Sequence, residues 1–171
     1  MNLAVEELKK KFPDVIREVK KGDCLTLICG REGFLEFIEY LKEQKGFIYL
    51  IDLCGVDYLN YPGKNWDERF EVVYHLYNFE AKELLRIRVR VPEEDCWHYS
   101  VVKLWKTADW FERECYDMFG IVFKGHPDLR RVLMPDDWKG YPLRKDYPLE
   151  LSEEEEWEVY KELVKKNKPK R

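Results

Sequence analysis

No apolar run in this 171-residue sequence approaches the ~18–20 residues of a helical membrane span. The first residues, Met1-Asn2-Leu3-Ala4-Val5-Glu6-Glu7, carry acids where a secretory signal has a cationic start and an apolar stretch. The chain is therefore expected to stay in the compartment that makes it. It also lacks a basic excess: the formal net charge is -4, which leaves no electrostatic case for nucleic-acid binding. There is no C-x-x-C. The five cysteines, Cys24, Cys29, Cys54, Cys96 and Cys115, are odd in number and scattered, whereas iron–sulfur clusters usually take four thiolates and structural zinc takes paired ligands. Cys24 and Cys29 bound an apolar segment, and their odd separation places them on opposite faces of a strand. They read as reduced core thiols. His75, His98 and His126 form no ligand set, so no metal site is expected.

The composition itself is that of a folded globular chain, 45% hydrophobic and 37% charged. One domain of this size buries about two-thirds of its unfolded surface. Residues 3–20 read as two short helices broken at Pro13, the second with Val15, Ile16 and Val19 on one face. Residues 24–29 read as a strand. Gly30 opens a helix with Phe34, Phe37, Ile38 and Leu41 at i, i+3, i+4 and i+7, and Gly46 closes it. Residues 47–54 are apolar on both faces and read as a central strand. A polar loop with a Pro62-Gly63 turn signal follows. Residues 69–79 and 84–91 alternate strongly and are joined by a short connection, as in an antiparallel hairpin. Arg86, Arg88 and Arg90 form a ladder on the second of these strands. Either it is a solvated face balanced across the hairpin by Glu71, or it docks an acidic partner. The expected fold is α+β, two layers, with a small mixed sheet and helices on one side.

A compact helix is expected over residues 109–119, with Asp109 as N-cap, Gly120 as the stop and Phe111, Cys115 and Met118 as the apolar stripe. Arg113 and Asp117 fall at i,i+4, and Glu114 and Asp117 share a side. Two carboxylates on one helical face suit acid–base chemistry, but no nucleophile, phosphate loop or metal signal accompanies them. Residues 121–151 then carry Gly125, Pro127, Pro135, Gly140, Pro142 and Pro148, which forbid a long helix. Structureless segments of this length are uncommon inside compact domains. This one holds Phe123, Leu129, Leu133, Met134, Trp138, Tyr141, Leu143 and Tyr147, too much apolar surface for disorder. Arginine and aromatic residues are the groups favoured at interface hot spots. The segment reads as an arm whose burial another protein completes, or one that wraps its own domain. Residues 152–171 read as a charge-polarised helix opened by a Ser152/Glu155 capping box.

The run 110–149 resembles the signature of the C subunit of type I NADH:quinone oxidoreductase, the thirty-kilodalton subunit in mitochondria. The resemblance is carried by Glu112-Arg113-Glu114, Tyr116-Asp117, Phe119-Gly120-Ile121, Gly125-His126-Pro127-Asp128-Leu129-Arg130-Arg131 and Pro142-Leu143-Arg144-Lys145-Asp146-Tyr147-Pro148. Leu50-Ile51-Asp52-Leu53, Val56-Asp57-Tyr58 and residues 69–76 extend it upstream, so it spans about residues 47 to 149. Thr107-Ala108-Asp109-Trp110 and Cys115 are mild departures from the family pattern.

The resemblance implies a subunit without a redox centre, bound in the peripheral arm against the D (forty-nine-kilodalton) subunit and near the B and I subunits. NADH, FMN, iron–sulfur clusters and quinone would be used by other subunits, with the complex at the cytoplasmic face of a prokaryotic cell membrane. It implies no catalytic, cofactor-binding or metal-binding residue here. The expected docking residues are Glu112, Arg113, Glu114, Asp117, His126 and Asp128 on the helix and the first bend of the arm. Further along they are Arg130, Arg131, Trp138, Arg144, Lys145, Asp146 and Tyr147. Three rivals stand beside this reading. One is the equivalent subunit of a deazaflavin- or ferredoxin-linked complex or of a membrane-bound hydrogenase. Another is an independent enzyme built on Glu114, Asp117 and His126. The third is a chaperone-binding module, since His126-Pro127-Asp128 echoes co-chaperone J domains, although Gly125 and Pro135 bracket that tripeptide unlike the two helices such domains require.

Overall fold

The computed structural model describes residues 5–148 together with residues 161 and 165. The helix expected over 152–171 lies outside the described residues apart from those two positions. In chain order the elements are α1 (Val5–Lys11), β1 (Ile16–Lys21), β2 (Leu25–Cys29), α2 (Phe34–Lys45) and β3 (Tyr49–Asp57). They continue with β4 (Phe70–Asn78), β5 (Glu83–Val91), β6 (Trp97–Tyr99), α3 (Ala108–Phe119) and β7 (Val122–Lys124). The fold is α+β. Five strands form a mixed sheet ordered β1-β2-β5-β4-β3, in which only β2 and β5 run parallel. β6 and β7 pair in parallel as a separate ribbon.

Alternation along β4 and β5 fixes which face is inside. Phe70, Val72, Tyr74 and Leu76 pair with Val91, Val89, Ile87 and Leu85, and all eight are buried. The helices pack on this face: Phe34, Phe37, Ile38 and Leu41 of α2 join the same core as Leu8 of α1 and Cys115, Met118 and Phe119 of α3. Gly46 ends α2 in the left-handed conformation, as its position in the pattern implies.

Two expectations are corrected. The apolar residues after Pro13 belong to a strand, β1, and not to a second helix. Its pairing with β2 shifts register between Ile16 and Glu18. That bulge lets Ile16 and Val19, three apart, both meet the core. A spacing of three on one face is the helical pattern, so the bulge imitates a helix. Residues 47–54 form most of β3, which is an edge strand rather than a central one. Its inner face carries Leu50 and Leu53 into the core, while Tyr49 and Ile51 are exposed. α3 lies along it: the Cys115 thiol sits 4.0 Å from the Leu53 carbonyl. Both sheet edges are thereby protected, one by a helix and the other by Arg17, Glu18, Lys20 and Lys21 on β1.

The arginine ladder occupies the outer face, and its charges are taken up within the chain. Arg88 donates to the fully buried Glu71 at 2.6 Å, and Arg90 lies 3.7 Å from the other oxygen of that carboxylate. Arg86 clasps Asp23 through both terminal nitrogens and donates to His75 Nε2 at 2.8 Å. The loop over residues 58–68 folds back across this face, with the Tyr58 hydroxyl accepting from Arg88 at 2.7 Å and Trp66 under Arg90 at 4.7 Å. The balance by Glu71 expected from the sequence is what the sheet displays. Cys24 and Cys29 lie on opposite faces as expected, Cys29 in the core and Cys24 beside Thr26.

The helix–sheet approach is tight at Gly55, where an added Cβ would stand 2.5 Å from the Phe119 ring. Gly55→Ala is expected to cost about 1–3 kcal/mol through overpacking, read as a lower urea midpoint with an unchanged denaturant slope.

Candidate functional site

The residues that carried the resemblance converge where α3 meets the arm. α3 runs from Thr107, whose side chain makes no capping bond, rather than from Asp109, and stops at Gly120 with φ 75°. A Cβ at Gly120 would also stand 2.5 Å from the Tyr141 ring. The tight stop therefore turns the chain and lets the arm lie against the helix end.

Asp117 occupies the last turn of α3, which contains no basic residue. A carboxylate there opposes the helix dipole, so other groups must compensate it. One oxygen accepts the backbone N–H groups of Val132, Leu133 and Met134 at 3.0, 2.8 and 2.9 Å. The other pairs with Arg131 at 2.6 Å, and Arg131 reaches on to the carbonyls of Trp138 and Gly140 at 3.1 and 3.0 Å. Burial alone would raise this carboxyl; the Met134 N–H, Arg131 and the other two N–H groups reverse that and hold it below its ordinary range. The i,i+4 pairing of Arg113 with Asp117 is replaced: Arg113 donates to the carbonyls of Arg130 and Arg131 at 3.2 and 3.1 Å. Helix and arm are thus stitched from both sides of one bend.

Two further anchors seat the rest of the arm. Arg144 donates to the Phe119 carbonyl at 2.7 Å, and Leu143 N–H to that of Met118 at 3.1 Å, satisfying carbonyls that the helix end leaves open. The Arg144 guanidinium lies between the Phe70 and Tyr141 rings, 5.0 and 4.6 Å from their centroids. Beyond it, the buried Asp57 accepts the Lys145 N–H at 2.8 Å and pairs with Arg69 at 2.8 Å. Arg69 also holds Asp146 at 2.6 Å and Glu93 at 2.5 Å. Burial works to raise the Asp57 carboxyl, but Arg69 and the N–H groups of Lys145 and Leu59 bring it below its usual range.

Of the other expected docking residues, Glu112 is fully buried and takes the Val101 N–H at 2.6 Å. Burial pushes its carboxyl up to about 7 against the pull of Ser100 and that N–H. The His126 ring is enclosed, with Nε2 3.2 Å from the Asp109 carbonyl and Nδ1 accepting the Asp128 N–H at 3.0 Å. Asp128 and Arg130 pair on the surface at 2.9 Å, Trp138 stacks on Tyr147, and the Tyr147 hydroxyl donates to the Lys139 carbonyl. Glu114 and Lys145 are exposed. Among the described residues no hydrogen bond or ion pair joins Glu114, Asp117 and His126, so the trio expected of an independent enzyme is not assembled.

Local pattern does not single out Asp57 and Arg69 as a clamp, because they meet the arm across 88 and 77 residues of sequence. Nor does it mark Trp110, Leu133 and Leu143 as the side chains left outside: they are 61%, 62% and 52% exposed. The Arg113 guanidinium covers one face of the Trp110 ring at 4.9 Å.

A family model described as the 30 kDa subunit of respiratory-chain NADH dehydrogenase matches residues 27–153. The C subunit of the NADH-quinone oxidoreductase of Geotalea uraniireducens is 48% identical over 151 residues, covering 87% of this chain and 88% of the relative. Its counterpart from Geobacter sulfurreducens is 45% identical over 151 residues, covering 87% and 90%. A solved trypsin-resistant fragment of Nqo5, residues 1–134, matches with a TM-score of 0.65 at 39% identity, over 73% of this chain and 96% of the fragment. A chain of an archaeal membrane-bound sulfane sulfur reductase shares the fold at a TM-score of 0.69 and 23% identity, over 95% of this chain and 89% of that one.

Two outcomes follow from these anchors. Asp117→Ala strands Arg131 and three N–H groups, with an expected cost of about 3–5 kcal/mol; trypsin should then cut at Arg130, Arg131 or Lys139 before it cuts the sheet. The pH dependence has two opposed parts. Asp57 and Asp117, lowered on folding, contribute stability that is present at neutral pH and lost as pH falls through their folded values. Glu112, raised from 4.5 to about 7, contributes most below 4.5 and progressively less as pH rises to 7. Denaturation at pH 5 and pH 8 should therefore show Glu112→Gln gaining stability relative to wild type at the higher pH.

Proposed function

The chain belongs to the family of the 30 kDa subunit of respiratory-chain NADH dehydrogenase, and from that premise we propose that it is a non-catalytic docking subunit in the peripheral arm of an NADH–quinone oxidoreductase. One observation carries the reading: Asp117, Arg131, Arg144 and Asp146 are engaged inside the chain and set the path of the arm, while Trp110, Leu133 and Leu143 remain outside on that frame. An aromatic and two leucines on a pre-ordered surface suit a partner's apolar pockets. Ordering them beforehand removes part of the conformational entropy that association otherwise costs.

Arg131, Arg144 and Asp146 then act chiefly by holding the arm in shape, while Trp110, Leu133, Glu114, Arg130 and Lys145 face the partner. The D subunit is the proposed main partner, with B and I adjacent, at the cytoplasmic face of a prokaryotic cell membrane. Among the described residues no helix is long and apolar enough to cross a membrane. The chain is proposed to hold no redox group itself. The relatives' names favour NADH as the donor of the assembly.

Purification of the complex through a tag on this chain tests both role and partners. Trp110→Ala combined with Leu133→Ala should weaken retention of the partner subunits by more than about tenfold, with the unfolding midpoint of the chain unchanged. Arg144→Ala should lower the stability of the chain and the yield of complex together, leaving turnover per assembled complex intact. Normal assembly with lost quinone reduction would point instead to a catalytic role.

A further inference from the structure

Four polar atoms in the core have no hydrogen-bond partner among the described residues: the Tyr74 hydroxyl, Glu112 Oε2, and Nδ1 and Nε2 of His98. All three side chains are completely buried. They belong to three different elements, β4, α3 and β6. The His98 ring stands 4.5 Å from that of Phe34 and 6.0 Å from that of Tyr74, centroid to centroid. The other oxygen of Glu112 is bound to the Val101 N–H, three residues along from His98, with Ser100 beside the same carboxyl. The Glu112 carboxyl also acts electrostatically on the Tyr74 hydroxyl. The three side chains therefore converge on one stretch of backbone, residues 98–101.

Leaving a buried donor or acceptor unsatisfied is destabilising, and four such atoms would remove a large part of the small margin by which domains are stable. Buried polar atoms that lack a protein partner are ordinarily bridged by ordered water, which needs a polar site with about two to four partners. The chemistry here matches water better than an ion. Tyrosine and neutral histidine each offer a donor, while histidine and the carboxyl offer acceptors. Arg31 acts on His98 in the sense that disfavours added positive charge, which argues against a bound cation.

We infer that this part of the core is a structural water site, in which ordered water joins Tyr74 of the sheet to Glu112 of α3 and to His98 of β6. The water fixes the seating of α3 on the sheet, and so of the helix that carries Trp110 and Arg113. The inference does not depend on the docking role.

The sign of a stability change separates a wet site from a dry one. In a wet site, Tyr74→Phe removes the hydroxyl and leaves the water short of a partner; in a dry site, it removes an unsatisfied group. A crystal structure of the full chain, at a resolution that shows ordered solvent, is combined with thermal unfolding of Tyr74→Phe. The expected result is a water within about 3.2 Å of at least two of the four atoms, and a midpoint lowered by about 2–4 °C. The absence of such a water, a direct Tyr74–Glu112 bond in its place, or a midpoint unchanged or raised overturns the inference.

Discussion

Everything distinctive about this chain depends on the Asp117 carboxylate, a negative charge buried at the wrong end of a helix. The helix dipole and the burial both act against it. It is held because Arg131 and three consecutive backbone N–H groups of the arm point at it. The dependence is mutual: those N–H groups, in a bend with no sheet or helix partner, need an acceptor as much as the carboxylate needs donors. Beyond β7, a segment rich in proline and glycine thus acquires a defined path without helix or strand of its own. Asp57 repeats the device further along, with Arg69 and the Lys145 N–H in the corresponding roles.

The division of labour among the charged residues follows from this. Arginines that read as contacts for another protein serve first as internal struts. Arg131 spans Asp117 and two carbonyls of the bend, and Arg144 caps α3 between two aromatic rings. With these charges engaged, the residues left outside include Trp110 and Leu133 together with the charged Glu114, Arg130 and Lys145. In the proposed docking role the apolar side chains supply the desolvated contact and the remaining charges its polar rim. That suits a subunit whose proposed task is to keep its neighbours in fixed geometry.

Much of the fold is legible in the sequence because its signals are local. The alternation in β4 and β5, the i, i+3, i+4, i+7 spacing in α2 and the left-handed glycines at 46 and 120 each act within a few residues. The failures come where a tertiary event rewrites a local pattern. The bulge in β1 puts Ile16 and Val19 on one face and imitates a helix. β3 looks central because Tyr49 and Ile51 make its outer face apolar as well, yet both are exposed on an edge strand. The site is legible as a stretch but not as a mechanism: Asp117, Arg131, Arg144 and Asp146 stand out, yet their partners lie up to 77 residues away in Arg69. The buried state of Glu112 and His126 is similarly hidden, since the groups that enclose them, the Val101 N–H and the Asp109 carbonyl, come from 11 and 17 residues away.

The most direct measurement is site-specific photo-crosslinking from position 133 in the intact, active complex, with the exposed edge position Arg17 as the control. Leu133 lies at the centre of the proposed docking face, its own N–H held by Asp117 together with those on either side. Adducts to another subunit from position 133, and none from position 17, are the predicted result. Adducts from position 133 confined to this chain, or absent altogether in a complex that still reduces quinone, would contradict the docking role.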